Sequence, residues 1–219
     1  MSGKRLVAES IVVAALAGLM SAGLTTAAST RTEVVVADHW PADSFINPGT
    51  IRCPGGQLQW LDPVTPVCTG SGRIHLRGVG AYGCTQAQVE VSGDAEPRMT
   101  GIGMFEVNAN FDAEYSGSVW GTWKLVPGEC VLERLYAPEA PAWKGTWQGQ
   151  RRRFCDGDSC VWIGDLELVG KGHGGALEGL RFKGTETNTT FTPLPVPWEL
   201  IGLCPPCGPE GVVVGTIRE

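Results

Sequence analysis

From residue 104 onward, apolar and polar side chains alternate along the chain. Residues 104–112 set Phe105, Val107, Ala109 and Phe111 on one face and Glu106, Asn108, Asn110 and Asp112 on the other, the period of two that a half-buried strand imposes. Residues 118–126 bring Val119, Gly121, Trp123 and Leu125 together, and 143–153 alternate Trp143, Gly145, Trp147 and Gly149. Further strands are predicted over 161–169, 176–186 and 211–217. Shorter ones are predicted at 33–38, 73–78 and 87–92, within a stretch rich in proline and glycine. Past residue 28, glycine or proline interrupts nearly every window, and no long segment keeps apolar residues at i, i+3, i+4 and i+7. The pattern is all-β.

Gly121-Thr122-Trp123 recurs as Gly145-Thr146-Trp147, with Trp120 and Trp143 close before each copy. Such a period suits a strand pair and its connections. Successive strands joined by turns such as Asp156-Gly157 and Gly172-His173-Gly174-Gly175 predict an antiparallel meander. Closing it into a barrel removes exposed edges, and glycine opposite tryptophan on the inward face makes room for the rings. The expected organisation is a signal peptide over 1–28 and one β-barrel domain over 29–219. Residues 29–99 form its loop-rich, cysteine-bearing opening and 100–219 its regular strands.

The G-T-W-x-G strand at Gly145–Gly149, Trp162-Ile163-Gly164, the following glycine-rich turn and Leu177-Glu178-Gly179-Leu180 resemble secreted bacterial members of the allene oxide cyclase-like barrel group. The likeness spans about residues 101–187. It implies an eight-stranded barrel with a central cavity in a group that holds both cyclases and proteins of unknown role. No position here matches a catalytic residue of any member, and the cysteine-rich start and Cys204-Pro-Pro-Cys207 depart from the group.

The first thirty residues change the chemistry open to the rest. Lys4 and Arg5, the apolar run Ile11–Leu24 and the small residues Thr25–Ala28 have the layout of a secretory signal, and the run is too short to argue for a membrane span. The mature chain is expected to be secreted or periplasmic, with no membrane association after cleavage. The full chain's net charge of −6 offers no basic excess to neutralise phosphates, so nucleic acid is not an expected partner. Export makes the eight cysteines, Cys53, Cys68, Cys84, Cys130, Cys155, Cys160, Cys204 and Cys207, a disulfide set. Cys155 and Cys160 form the easiest local pair, across a tight turn; the other connectivities stay open. A zinc site from Cys155, Cys160, Cys204 and Cys207 has tolerable spacing, but an oxidising compartment favours bridges. Redox chemistry at Cys204–Cys207 lacks the helix start that lowers a thiol pKa. No metal and no cofactor are expected.

Other motifs read blandly. Gly78–Gly83 matches G-x-G-x-x-G, yet an alternating segment follows it where the motif needs a helix, so a glycine-rich turn is expected. Asp156-Gly157-Asp158 supplies too few oxygens for calcium. His39, His75 and His173 read as solvated or internally satisfied. Arg151–Arg153 read as a strand end, with anion binding as the alternative. Asn188-Thr189-Thr190 is a glycosylation sequon in a host that glycosylates.

The polar face at Glu106, Asn108, Asn110 and Asp112 either meets solvent or lines a wet cavity. In a cavity, burial would raise the Glu106 pKa toward that of a general base. The candidates for a site are therefore Glu106 and Asn108 if there is catalysis, and Trp123, Trp147 and Asn110 for ligand contact. Trp120, Trp143 and Trp162 are further possible cavity walls. The expected function is binding of a small ligand or an extracellular partner without catalysis. The alternatives are a cofactor-free isomerase or cyclase using the cavity, and a structural envelope protein with a filled barrel.

Overall fold

The computed structural model describes residues 31–39, 45–47, 49–62, 65–70, 73–87, 96–114, 116–156, 159–192 and 210–219. The signal segment, Cys204, Cys207 and the Gly157–Asp158 turn lie outside these. In chain order the strands are β1 (Arg31–His39), β2 (Phe45–Asn47), β3 (Thr50–Arg52), β4 (Gln57–Asp62), β5 (Thr65–Thr69), β6 (Arg73–Ala87), β7 (Gly101–Asp112), β8 (Gly117–Pro127), β9 (Ala142–Asp156), β10 (Ser159–His173), β11 (Arg181–Thr192) and β12 (Glu210–Arg218). A single helical turn, Glu96–Met99, precedes β7.

Strands β6 to β12 are antiparallel neighbours in sequence order. β1 pairs with β12 on one side and with β6 on the other, closing a ring of eight strands. β2 and β3 lie against β6, while β4 and β5 form a separate hairpin. The ring closes with a stagger. A row of partners leaving Val36 runs through Val213, Glu186, Leu166, Gly149, Val119 and Ala109 to Leu76. Val36 itself faces Ala87, far along the same β6. Such an offset means the strands tilt steeply across the ring axis.

Alternation decides which side chains fill the ring. Phe105, Trp123, Gly145, Gly170 and Phe182 are successive cross-strand partners on the inward face. The Trp123 indole lies across the two glycines, whose missing side chains give it space: a Cβ on Gly145 would sit 2.6 Å from Trp123 Nε1. Trp123 meets Phe182 edge-on at 5.8 Å, and its Nε1 donates to the Val169 carbonyl at 3.1 Å. In the next row, Gly121 faces Trp147 in the same way. The two G-T-W copies are thus one another's antiparallel partners, tryptophan over glycine in each direction, and the expected pairing of large and absent side chains is what the interior uses. Outward positions on β8 to β11 carry Lys124, Lys144, Gln148, Arg152, Glu167 and Lys183, with Phe154 and Val169 also exposed there.

Several boundaries differ from the sequence reading. The Gly78–Gly83 segment is part of β6 rather than a turn, because its inward residues Val79 and Ala81 are fully buried; Gly78, at φ 64°, sits in a bulge of that strand. β11 starts at Arg181 rather than near 176, since Gly175–Leu177 form a tight turn and Gly179 adopts φ 83°. Of the 87–92 candidate, Ala87 ends β6 and the remainder lies outside the described residues.

The disulfide Cys53–Cys68 closes the base of the β4–β5 hairpin, and Cys84–Cys130 ties β6 to the segment after β8. That segment folds Leu132–Tyr136 over the outside of the ring, where Leu135 joins Ile102, Val126 and Ala142 in a satellite core. Cys155 is also disulfide-bonded, and its cross-strand partner in the ladder is Cys160.

Candidate functional site

The residues singled out in the sequence do not share one surface. Glu106 is exposed on the outer face of β7 and faces away from the ring interior. Asn108 and Asn110 lie half-buried on that same face and serve the bulge in β6. Asn108 Oδ1 accepts from the Gly78 amide at 3.1 Å, and Asn110 Oδ1 accepts from Arg77 at 2.7 Å. Arg77 also donates to the carbonyls of Leu76 and Ala109, and its guanidinium carbon stands 5.0 Å over the Trp120 ring. This row is a clasp between β6 and β7. Trp123 and Trp147 point into the ring and are buried. Trp120 corrects the expectation of a cavity wall: it is half-buried on the outside. His75 lies on β6, its pKa lowered by partial desolvation and by Arg77, Arg73 and Arg52.

Among the described inward residues the packing is tight. A void of about 20 Å³ lies among Asp38, Thr85, Phe105, Trp123, Phe182 and Glu186. That is room for about one water and far from the several hundred Å³ of a ligand pocket. Beside it runs a layer of buried polar groups that the sequence reading missed. Arg151, Gly164, Asn188, Gly211 and Asp38 are successive inward partners across β9, β10, β11, β12 and β1. Glycine again makes the space, because a side chain at Gly164 would overlap the Asn188 amide. Asn188 Nδ2 donates to Glu186 Oε1 at 2.8 Å. Burial raises the Glu186 pKa, against the opposing pull of the Asn188 hydrogen bond and the Arg151 charge. Burial also lowers Arg151 to about 10, against the pull of Glu186. The signal was available in principle, as Glu186 and Asn188 keep the inward parity of Phe182 and Gly184. Asn188 is buried in this layer, so the sequon is closed to a glycan in the folded chain.

The three consecutive arginines alternate faces as strand residues do. Arg151 is interior, and Arg153 turns inward, with its guanidinium 5.2 Å over the Trp162 ring. Arg152 is outside, bridged to Asp165 at 2.6 Å. Trp162 Nε1 is buried without a hydrogen-bond acceptor among the described residues.

A roomy concavity lies on the outer face of β8 to β11, where an open trough of about 1100 Å³ crosses the four strands. Two cross-strand rows pave it. One runs Trp120, Gln148, Glu167, Thr185; the other runs Ser118, Gln150, Asp165, Thr187. These are the outward alternates of the buried positions, spaced about 4.8 Å from strand to strand. Asp112, at one end, accepts hydrogen bonds from the amides of Glu114 and Ser116 and so shapes the β7–β8 turn.

No protein-family model, curated protein or solved structure matches the chain.

Proposed function

We propose that the ring is a filled β-barrel and that the chain is a non-catalytic, exported binding module whose ligand or partner engages the outer trough. The observation that carries this reading is the contrast in space: about 20 Å³ among the inward groups against about 1100 Å³ outside. Catalysis of the cyclase type would require a substrate enclosed beside polar groups, and the tight interior together with the exposed Glu106 weighs against it. The likeness to the allene oxide cyclase-like group is kept here as a proposal about fold alone. The filled interior equally suits a structural envelope protein, and the polar trough favours binding over that alternative.

Native mass spectrometry of protein purified from its own secreting host tests the proposal. An adduct is expected that is lost when Gln148 and Gln150 are both replaced by alanine. An adduct that survives those changes and perturbs the Trp123 and Trp147 indole resonances would move the site inside and revive the isomerase reading. The absence of any adduct would favour the structural role.

A further inference from the structure

We infer that the trough on β8 to β11 is a subsite for an uncharged glycan chain laid across the strands; the inference rests on the outer-face binding reading above. Four features of the surface point to that chemistry. The first is the kind of group present. Gln148 and Gln150 each offer a carbonyl acceptor and an amide donor side by side, and Thr185 and Thr187 offer hydroxyls that do both. A sugar's vicinal hydroxyls are likewise donor and acceptor at once. None of these four side chains makes a hydrogen bond among the described residues, and all four are exposed.

The second feature is charge. Arg152 and Asp165 neutralise each other across 2.6 Å, and the Asp112 carboxylate is engaged by two backbone amides. Glu167 is then left as the outward charge in the middle of the trough. An anionic polymer would meet the Glu167 carboxylate there, and the one cation lining the trough outside, Arg152, is already engaged by Asp165. A single carboxylate among amides and hydroxyls serves instead as a strong acceptor for hydroxyl donors.

The third is the aromatic group. Trp120 closes the first row, half-buried and lining the trough, with the Arg77 guanidinium over its ring and Asn110 holding that guanidinium. An indole fixed in this way is a platform for the apolar C–H face of a pyranose at little cost in side-chain entropy.

The fourth is geometry. The two rows run perpendicular to the strands at the sheet spacing of about 4.8 Å, close to the repeat of an extended pyranose chain. The volume, about 1100 Å³, exceeds that of a typical small-molecule pocket and accommodates more than one ring. Because every contact residue sits on a strand of a closed ring, the backbone that carries the array is in place before the ligand arrives.

The test is an NMR titration of ¹⁵N-labelled full-length protein with three probes: neutral hexasaccharides (cello-, xylo- and chito-), an oligogalacturonate and an oligolysine. A neutral hexasaccharide is expected to shift the amides of residues 118–120, 148–150, 165–167 and 185–187. Trp120→Ala should weaken that binding about tenfold, the loss of one stacking contact. Trp120→Tyr should retain part of it. Gln148→Ala with Gln150→Ala, both exposed and harmless to the core, should weaken it by a similar or larger factor. Oligogalacturonate should leave the trough unshifted. Trough shifts with oligolysine and none with the neutral sugars would overturn the glycan class while leaving the outer face as the binding surface. No shift with any neutral sugar at millimolar concentration overturns the inference, and so does sugar binding that the Trp120 and glutamine variants leave intact.

Discussion

Gly170→Ala isolates the principle by which the interior is filled. Gly170 has an ordinary strand backbone, so the change introduces no φ strain, and its effect is steric. The added methyl carbon would lie 2.5 Å from Cζ2 and 3.0 Å from Cη2 of Trp123, and 3.2 Å from the Lys144 carbonyl oxygen. The indole has nowhere to retreat. It is 5% exposed, packs edge-on against Phe182 and spends its N–H on the Val169 carbonyl, while the adjoining void holds only about 20 Å³. Overpacking of this kind costs about 1–3 kcal/mol, and displacing the indole N–H from its acceptor adds about 1 kcal/mol. The expected loss is therefore roughly 2–4 kcal/mol, a large share of a typical domain stability. Urea unfolding followed by tryptophan fluorescence reads this as a lower midpoint at unchanged slope. The decisive measurement is a double-mutant cycle with Trp123→Phe, which removes the atoms the new methyl would strike. The double variant should be more stable than the sum of the two single losses by about 1 kcal/mol or more. Additivity within about 0.5 kcal/mol would show that Gly170 is not there to make room for Trp123, and the account of the interior would fall.

Three further outcomes follow from the same structure. Replacing Cys84 and Cys130 by alanine opens a bridge of sequence separation 46, for which loop entropy gives about 4 kcal/mol. The shorter Cys53–Cys68 bridge should cost less and chiefly loosen its own hairpin, as hydrogen exchange over 57–69 would report. Glu186, with its pKa raised by burial, binds protons more tightly folded than unfolded, so its contribution is most favourable below the ordinary carboxylate range and is lost as pH rises through that range toward the elevated folded value. Arg151, lowered to about 10, destabilises the fold below that pH and adds no slope between pH 5 and 8. Glu186→Gln should accordingly flatten the decline in urea midpoint from pH 4 to 7, and identical slopes in the two proteins would refute the assignment.

The strands from β7 onward and the inward pairing of glycine with tryptophan were legible because alternation is a local property: Phe105, Val107, Ala109 and Phe111 announce their own face. What lay beyond reach depended on register between distant segments. Whether Glu106 faced a cavity or solvent could not be decided from its strand alone; it turned on which face of the ring the apolar row occupied. The bulge at Arg77–Gly78, which puts Asn108 and Asn110 to structural use, hides in a segment that reads as a glycine-rich turn. The buried layer of Arg151, Glu186, Asn188 and Asp38 comes from three strands, and the trough needs partners on four. No single window of sequence contains either. The mixed use of Arg151, Arg152 and Arg153 could have been read from parity, had charge not suggested a solvent-exposed strand end.

The way the ring shuts bears on how the chain reaches it. From β6 to β11 each strand can zip onto its sequence neighbour, a series of nearby hairpins. Closure is different in kind: β1 must find β12 along its whole length and then grip β6 through Val36–His39 alone. Those partners lie at opposite ends of the described chain, so the last step carries the largest loop entropy and sets the pace of folding. Until it is made, β1 and the Cys84–Ala87 end of β6 present backbone edges that another copy could fill as readily as the proper mate. The narrow β1–β6 seam is thus where this protein would exchange strands with a neighbour, and where a crowded folding environment would be felt first.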